Sequence, residues 1–363
     1  MSIVGIIANP VSARDIRRVV ANASNLQTSE RVNIVLRLLS TLASLGVSKV
    51  LMMPDKAGMR TLLKRQLGRE TPGGSRFPAV EFLDFDPGTS VEDTFTATRM
   101  LRDAGVQAIV VLGGDGTHRA VARDCGSIPI AGLSTGTNNA FPDMREPTIC
   151  ALAVGLYVSG KLSPADALSP NKMIEVVINN GERHDIAIVD AVIARERVIG
   201  SRALWKTESL AAIYLTYADP EAIGLSAIGG LLHPVSRRSN EGLGIALAAP
   251  GESASQTPEP IAKPATSSSG SHASGSENTA IRLLAPIAPG MLREVTVARW
   301  WPLKAGVVQH VALGAGVVAL DGEREMTFDH ADQLHLSLRT EAFYTIDVPR
   351  CLRLAAERGL LRC

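Results

Sequence analysis

Residues Val110–Thr117 form an apolar stretch that runs directly into a glycine-rich turn, Val-Val-Leu-Gly-Gly-Asp-Gly-Thr. Gly113, Gly114 and Gly116 lack the Cβ atoms that would keep a phosphate away from the backbone. A helix beginning near Thr117 would point its first N–H groups and the positive end of its dipole at the same anion. The sequence therefore predicts a phosphate site. A plain strand-to-helix turn with Asp-Gly geometry remains the structural alternative.

Asp115 is the one charged residue of this turn. Because a carboxylate repels phosphate, an acid here suggests a contact to a metal ion or a proton acceptor for an attacking hydroxyl. One carboxylate can do both, and the sequence does not separate the two roles. We therefore predict that Asp115 is catalytic, with Mg²⁺ as a possible ligand of its side chain.

A second polar loop follows the next predicted strand, Pro129–Leu133. Its small hydroxyl and amide side chains can bind a triphosphate or a ribose without adding charge. In open α/β sheets, ligands bind in the crevice beyond the carboxyl ends of the strands. Two polar loops after neighbouring strands therefore predict a nucleotide site, and the second loop contributes Thr135, Gly136, Thr137, Asn138 and Asn139.

These motifs resemble the ATP-NAD kinase superfamily. Gly113–Thr117 matches the GGDGT signature shared by NAD kinases and the diacylglycerol and sphingosine kinases, and Gly132–Phe141 combines features of their second loops. Asn9 and the proline after it match the N-P-x-[SA]-G start of the superfamily. Ala222–Pro234 resembles the L-S-A-G-G segment of NAD kinases with one extra residue. The opening Gly5–Arg18 is most similar to the acetoin-catabolism protein X subfamily, which is grouped with ATP-NAD kinases.

The resemblance implies an ATP-dependent kinase that uses ATP and Mg²⁺, with NAD as the first acceptor to test. It adds Asn9 to the nucleotide-binding residues. It also implies acceptor-binding roles for Asp190, Ser226 and Glu221. The lipid-kinase relatives carry a catalytic D-G-E, which implies an acid or metal role for Asp321 and Glu323.

The acceptor half departs from both branches of the superfamily. NAD kinases carry a hydroxyl and an aromatic residue where this chain has Glu221 and Ile223, and Ala140 replaces an aspartate of the lipid kinases. The identity of the phosphate acceptor is therefore open, and a nucleotide-binding sensor or accessory protein without turnover is the alternative. A lipid kinase is weaker, because no apolar stretch suggests a lipid entrance. Asp321 with its following glycine also suits a plain hairpin turn, and Asp190 could simply pair with a basic residue.

Predicted strands alternate with helices up to about residue 148, which indicates a Rossmann-like parallel sheet. No G-x-G-x-x-G follows the first strand, so a dehydrogenase-type site is disfavoured. Residues 149–335 predict a mostly antiparallel β domain that binds the acceptor, with a two-residue hairpin turn at Asn180 and Gly181. A Ser- and Pro-rich insertion at 250–279 is expected to be mobile. Residues 336–363 are predicted to return to the first domain.

The composition is that of a soluble globular protein, with 45% hydrophobic residues, 20% charged residues and a net charge of +1 over 363 residues. This charge argues against nucleic-acid binding and against a stable membrane association. The first residues of the sequence lack the features of a signal peptide. The four cysteines show no metal-binding spacing. We expect a cytoplasmic homo-oligomer whose partner is a small-molecule or dinucleotide acceptor.

Overall fold

The computed structural model describes residues 2–9, 26–68, 77–135, 139–196, 207–248, 262–264 and 280–362. In its first part, strands alternate with helices: β1 (Ile3–Ala8), α1 (Thr28–Ser44), β2 (Lys49–Met52), α2 (Met59–Leu67), β3 (Ala79–Phe82), α3 (Glu92–Asp103), β4 (Ala108–Gly113), α4 (Asp115–Asp124) and β5 (Ile130–Ser134). Helix α1 buries apolar residues at helical spacing, including Val35, Leu38 and Leu42, against this sheet.

The five strands pair in parallel in the order β5-β4-β1-β2-β3, which confirms the predicted parallel sheet. Strand β4 is buried along its whole length because helices cover both faces of the sheet. In the register, Ala8 lies beside Leu112, and Gly113 lies beside Ser134. The carboxyl ends of β1, β4 and β5 therefore lie at one edge, and both predicted nucleotide loops begin there.

The rest of the described chain is mostly antiparallel. Its elements are α5 (Pro147–Val158), α6 (Pro164–Ala167), β6 (Leu168–Ile178), β7 (Arg183–Ala187), β8 (Asp190–Ala194), β9 (Leu210–Leu215), α7 (Leu225–Leu232), β10 (Glu241–Leu247), β11 (Ala262–Pro264), β12 (Ile281–Ala288), β13 (Met291–Lys304), β14 (Val308–Val311), β15 (Gly316–Leu320), β16 (Glu323–Phe328), β17 (Leu334–Ile346) and α8 (Val348–Glu357). Seven of the strands form a second sheet, in the order β12-β13-β10-β9-β8-β15-β16. The predicted antiparallel region is confirmed.

Strand β17 joins the later chain to the first sheet. It pairs in parallel with β5 through Thr345 and Ile130, and it pairs antiparallel with β6 and β14. Strands from both sides of residue 149 therefore share one sheet, and the predicted domain boundaries stay a prediction. Helix α8 follows β17 and packs against α5 and α6.

Two predicted hairpin turns have different outcomes. Ile178 pairs with Arg183, so four residues connect β6 and β7, and the predicted two-residue turn at Asn180 and Gly181 is wrong. The Asn179 side chain explains the longer loop: it donates to Asp332 at 2.6 Å and accepts from the backbone of Gln333, which anchors the loop to the segment before β17.

The second hairpin turn is confirmed. Leu320 pairs with Glu323, so Asp321 and Gly322 alone connect β15 and β16. Both residues have positive φ angles, 50° and 80°, as a type I′ turn requires.

Two predictions fall outside the described residues: a first helix after β1, and the insertion at 250–279 apart from Ala262–Pro264. Within the described part, no helix combines the length and the apolar character needed to cross a membrane.

Candidate active site

The glycine turn between β4 and α4 is shorter than predicted. Helix α4 begins at Asp115, two residues before the predicted start at Thr117. The Gly114 carbonyl accepts from the backbone N–H groups of Thr117 and His118 at 3.1 Å each. Asp115 and Gly116 therefore lie in the first helical turn, where backbone N–H groups attract an anion.

Two of the glycines are required by contacts within the protein. A Cβ on Gly113 would lie 2.5 Å from the Cβ of Thr117, and a Cβ on Gly114 would lie 2.7 Å from Asn139 Oδ1. Gly116 has more room, because the nearest atom to its Cβ would be Glu323 Oε1 at 3.8 Å. The motif thus allows close packing within the turn at Gly113 and against the second loop at Gly114, and leaves the backbone open at Gly116.

Asp115 ties the two predicted nucleotide loops together. Its Oδ2 accepts from the backbone N–H of Ala140 at 3.0 Å, and its Oδ1 accepts from that of Phe141 at 2.9 Å. These bonds fix the carboxylate between the two loops. The structure therefore brings both loops to one side of the molecule.

The second loop is described only at its two ends. Asn139 Nδ2 donates to Ser134 Oγ at 2.8 Å, and the Thr135 backbone N–H donates to the Gly113 carbonyl at 3.3 Å. The predicted contacts at Gly136, Thr137 and Asn138 lie outside the described residues.

Three acids from distant parts of the chain line one pocket. They are Asp115 at the start of α4, Asp190 at the start of β8 and Asp321 in the turn between β15 and β16. The rest of the lining is formed by Ala140, Ile223, Gly224, Leu225, Ser226, Ile287 and Gly322. The predicted residues Asp190, Ser226 and Asp321 thus face the same space as Asp115.

The backbone fixes Asp190 and Asp321 relative to each other. The Asp321 N–H donates to the Asp190 carbonyl at 2.8 Å, and the Gly322 N–H donates to Asp190 Oδ1 at 3.3 Å. Asp321 Oδ1 accepts from three successive backbone N–H groups, with the shortest distance, 2.8 Å, to Val189. The hairpin turn therefore explains the backbone at Asp321, and the N–H groups of Ile188, Val189 and Asp190 hold its carboxylate.

Burial raises the pKa of Asp321 well above its usual range. Arg119 opposes this shift, whereas Asp190 and Asp115 add to it because like charges disfavour ionisation. Asp321 is 4% exposed, so solvent screens these charges weakly.

Arg119 is a buried site residue that the sequence did not reveal. Its guanidinium contacts Asp185 on β7 at 3.0 Å, Glu325 on β16 at 2.6 Å and Asp321 at 3.8 Å. Burial alone would lower the pKa of Arg119, but the three acids outweigh it and raise the pKa. These partners are 66 to 206 residues away along the chain, so no local spacing could have indicated them.

Arg237 and Tyr217 hold the backbone that binds Asp115, and sequence reasoning missed both. Tyr217 Oη donates to the Ala140 carbonyl at 2.7 Å, and Arg237 donates to the Ala140 and Phe141 carbonyls. The Arg237 guanidinium also lies 4.3 Å from the centre of the Tyr217 ring. The Ala140–Phe141 backbone is thus held by Asp115 on its N–H side and by Arg237 and Tyr217 on its carbonyl side.

The other predicted residues lie elsewhere. Glu221 is exposed before α7 and is not part of the pocket lining. Asn9 is 4% exposed, and its Nδ2 donates to the Ser90 carbonyl and to Thr94 Oγ1, which joins β1 to the start of α3. Glu323 is half-buried beside Gly116.

A Mg²⁺ ion in this pocket would be held largely by substrate. Within the described residues, no three His, Cys, Asp or Glu side chains form a cluster that could hold a metal ion by themselves. Mg²⁺ is usually bound through one or two carboxylates plus phosphate oxygens and waters. Asp115 would be the protein ligand, because it lies in the same helical turn as the predicted phosphate contacts.

Two family profiles match the chain in succession. The ATP-NAD kinase N-terminal domain matches residues 4–160, and the acetoin catabolism protein X C-terminal domain matches residues 172–341. The acetoin catabolism protein X of Cupriavidus necator is 54% identical over 363 residues, with 99% of this chain and 94% of that protein covered.

Among solved structures, yeast NADH kinase complexed with NADH aligns with a TM-score of 0.54 at 12% identity, covering 98% of this chain and 87% of that chain. A diacylglycerol kinase from Bacillus anthracis str. Sterne aligns with a TM-score of 0.45 at 11% identity, covering 95% and 96%. At 12% identity, the first likeness concerns the fold alone. The predicted NAD kinase-like fold class is confirmed.

Proposed function

Because the chain belongs to the acetoin catabolism protein X family of the ATP-NAD kinase-like superfamily, we propose that it is an ATP-dependent phosphotransferase. Its acceptor is a hydroxyl of a small or nucleotide-like molecule, with NAD the first to test. The observation that carries this proposal is the convergence of Asp115, Asp190 and Asp321 on one pocket beside the glycine turn.

The glycine turn supports the donor half of the proposal. Phosphoryl transfer asks the protein mainly for alignment and charge compensation. The first turn of α4 offers backbone N–H groups to the phosphates of ATP, with the approach open at Gly116. Mg²⁺, when bound, would neutralise charge on the phosphate oxygens.

The three acids support the acceptor half. Asp115, held by two backbone N–H groups, would orient or deprotonate the acceptor hydroxyl. Burial raises the pKa of Asp321, so its carboxylate binds a proton more strongly than an ordinary one. Asp190 and Ser226 would accept and donate hydrogen bonds to neighbouring groups of the acceptor.

A nucleotide-binding sensor without turnover is the second candidate, and one changed position in the pocket wall favours it. Ile223 lines the pocket where NAD kinases carry an aromatic residue, and Glu221 lies outside the lining. An altered acceptor wall is compatible with a different acceptor or with none.

Calorimetric titration with ATP and with NAD, alongside an assay coupled to NADP formation, separates the candidates. Binding of both with NADP formation supports a NAD kinase-like enzyme. ATP binding with no phosphorylated product across a panel of hydroxyl acceptors supports the sensor and overturns the kinase. The panel includes diacylglycerol in micelles, because the β12–β13 hairpin leaves Leu284 and Leu292 62% and 58% exposed.

A further inference from the structure

We propose that Lys172 is a positioning residue that holds Asp115 in place through Arg237; this inference rests on the proposed function. Lys172 lies on β6, does not line the pocket, and is only 5% exposed. Arg237 lies in the segment between α7 and β10, residues 233–240, which we call the α7–β10 loop. From this loop it donates to the carbonyls of Ala140 and Phe141, whose N–H groups bind Asp115.

The amine of Lys172 binds three oxygen atoms of the α7–β10 loop and the first residue of β10. Its Nζ donates to the Ser236 carbonyl at 3.0 Å, to Ser239 Oγ at 3.2 Å and to the Glu241 carbonyl at 2.7 Å. A lysine ammonium has three N–H donors, so the three acceptors match its capacity. Burial lowers the pKa of Lys172 to about 8, and the group is therefore mostly protonated at neutral pH.

Two anchors hold the loop around Arg237. The first is Val235, which exchanges two backbone hydrogen bonds with Ala218, at 2.8 and 2.9 Å. The second is Lys172, which binds the residue immediately before Arg237 and the residue two positions after it. Because the Val235 pairing remains when the Lys172 contacts are removed, we expect the loop to become more mobile at Arg237 without general unfolding.

Strand β6 gives Lys172 a fixed base. It pairs with β17 on one side and with β7 on the other. Asn171, the residue before Lys172, pairs with Phe343, whose ring centre lies 5.7 Å from that of Phe141. Because Arg237 binds the carbonyl of the same Phe141 at 2.9 Å, the lysine fixes the loop relative to the backbone segment that the arginine binds.

The test begins with Lys172→Met, which removes the three donors and keeps an unbranched side chain. Lys304→Met is the matched control, because Lys304 pairs with Glu241 in the sheet register but is exposed. Arg237→Met and the double variant Lys172→Met/Arg237→Met show whether the lysine acts through the arginine.

The first measurement is hydrogen exchange at the amides of Ala140 and Phe141, which donate to Asp115. In Lys172→Met these amides should exchange about tenfold faster, while the amides of the fully buried strand β4 keep the rate of the parent protein. Lys304→Met should exchange like the parent protein at both places. An unchanged rate at Ala140 and Phe141, or an equal increase in β4, would overturn the proposal.

The second measurement is steady-state kinetics with the acceptor identified from the panel. Lys172→Met should lower kcat by about three- to tenfold, because Asp115 is misplaced, and should leave the Kd for ATP unchanged, because the start of α4 is intact. The double variant should have the kcat of Arg237→Met alone, whereas independent, multiplying losses would contradict action through Arg237. If the parent protein phosphorylates no acceptor, the proposed function fails, and the exchange rates still decide whether Lys172 positions Asp115.

If Lys172→Met does not fold, Ser239→Ala takes its place, because it removes one of the three acceptors and leaves both carbonyls. Its control is Asn240→Ala, at the exposed neighbouring position. A smaller increase in exchange at Ala140 and Phe141, seen in Ser239→Ala alone, supports the proposal. Equal rates in the two variants overturn it.

Discussion

The two walls of the pocket are assembled differently. The donor wall comes from one stretch, in which β4, the glycine turn, α4 and β5 follow one another and the Asp115 bonds to Ala140 and Phe141 span about 25 residues. The acceptor wall combines Asp190 with Asp321, which are 131 residues apart and meet through the pairing of β8 with β15. A local motif therefore defines the donor wall, whereas sheet topology defines the acceptor wall.

Replacing Asp115 tests the donor wall, and this substitution has the largest expected effect. Asp115→Asn should lower phosphotransfer by about 10²–10⁴-fold, the usual contribution of a positioned proton acceptor. ATP affinity should change little, because the helix N-terminus remains. The measurements are the initial rate of labelled-phosphate transfer and calorimetric titration with ATP.

Asp143→Asn is the matched control, because Asp143 lies near the same loop with its side chain 55% exposed and paired to Arg145. Unchanged turnover in Asp115→Asn would remove Asp115 from the mechanism. A comparable loss in the Asp143 variant would show that the loop, not the carboxylate, is responsible.

Local sequence signals predicted part of the fold and part of the site. The GGDGT motif, the alternation of strands and helices, and the turn at Asp321 and Gly322 are local signals, and each led to the element that the structure contains. The helix start at Asp115 and the four-residue loop after Ile178 were missed because Gly114 and Asn179 form specific contacts that no propensity encodes.

The site residues that the sequence did not indicate were missed for the same physical reason. Arg119 and Arg237 are ordinary arginines in the sequence. The partners of Arg119 lie on distant strands, and those of Arg237 lie in the second loop, 96 and 97 residues away. A pattern in one sequence carries no information on which distant acids or carbonyls will surround such a group. Long-range sheet pairing supplies that information.

Replacing Asp321 tests the acceptor wall. Asp321→Asn should lower kcat by about 10²-fold, less than the change at Asp115 if the donor wall dominates. Because burial raises the pKa of Asp321 above its unfolded value, its ionisation costs the parent protein stability as pH rises above about 4. The variant should lack that loss, so its free energy of unfolding should gain on the parent with rising pH.

Urea unfolding between pH 4 and pH 9 provides the measurement for Asp321→Asn. A constant difference between the two proteins across this range would show that Asp321 does not titrate abnormally. The two walls of the pocket would then not differ through an abnormal titration of Asp321.

Removing Arg237 tests the link between the two walls. Arg237→Met should lower kcat by about tenfold, because the Ala140 and Phe141 backbone that positions Asp115 keeps only Tyr217 as a carbonyl partner, and small misplacements are costly in catalysis. Steady-state kinetics with the identified acceptor checks this. Arg238→Met is the control, since its side chain is 72% exposed and contacts Asp347 instead. Equal effects of both variants would contradict a role specific to Arg237.

The smallest expected effect on turnover is at His118. Its Nδ1–H donates to the Gly114 carbonyl at 2.8 Å, and burial lowers its pKa to about 4. A depressed pKa means that stability is present above the unfolded value, about 6.5, and is lost as pH falls towards 4. His118→Gln should unfold with a flatter pH dependence over this window, with turnover at pH 7.5 within about threefold of the parent.

Thermal unfolding at pH 4.5 and pH 7.5 measures the effect at His118, with exposed His184→Gln as the control. An unchanged acid sensitivity in His118→Gln would show that the glycine turn does not depend on a neutral imidazole.

The most direct test of the two-walled pocket is transfer of label from γ-³²P-ATP to a pool of hydroxyl-bearing metabolites that includes NAD, with the labelled product identified by mass spectrometry. We expect one small labelled acceptor, formed by the parent protein and not by Asp115→Asn. Saturable ATP binding without label in any acceptor would contradict it.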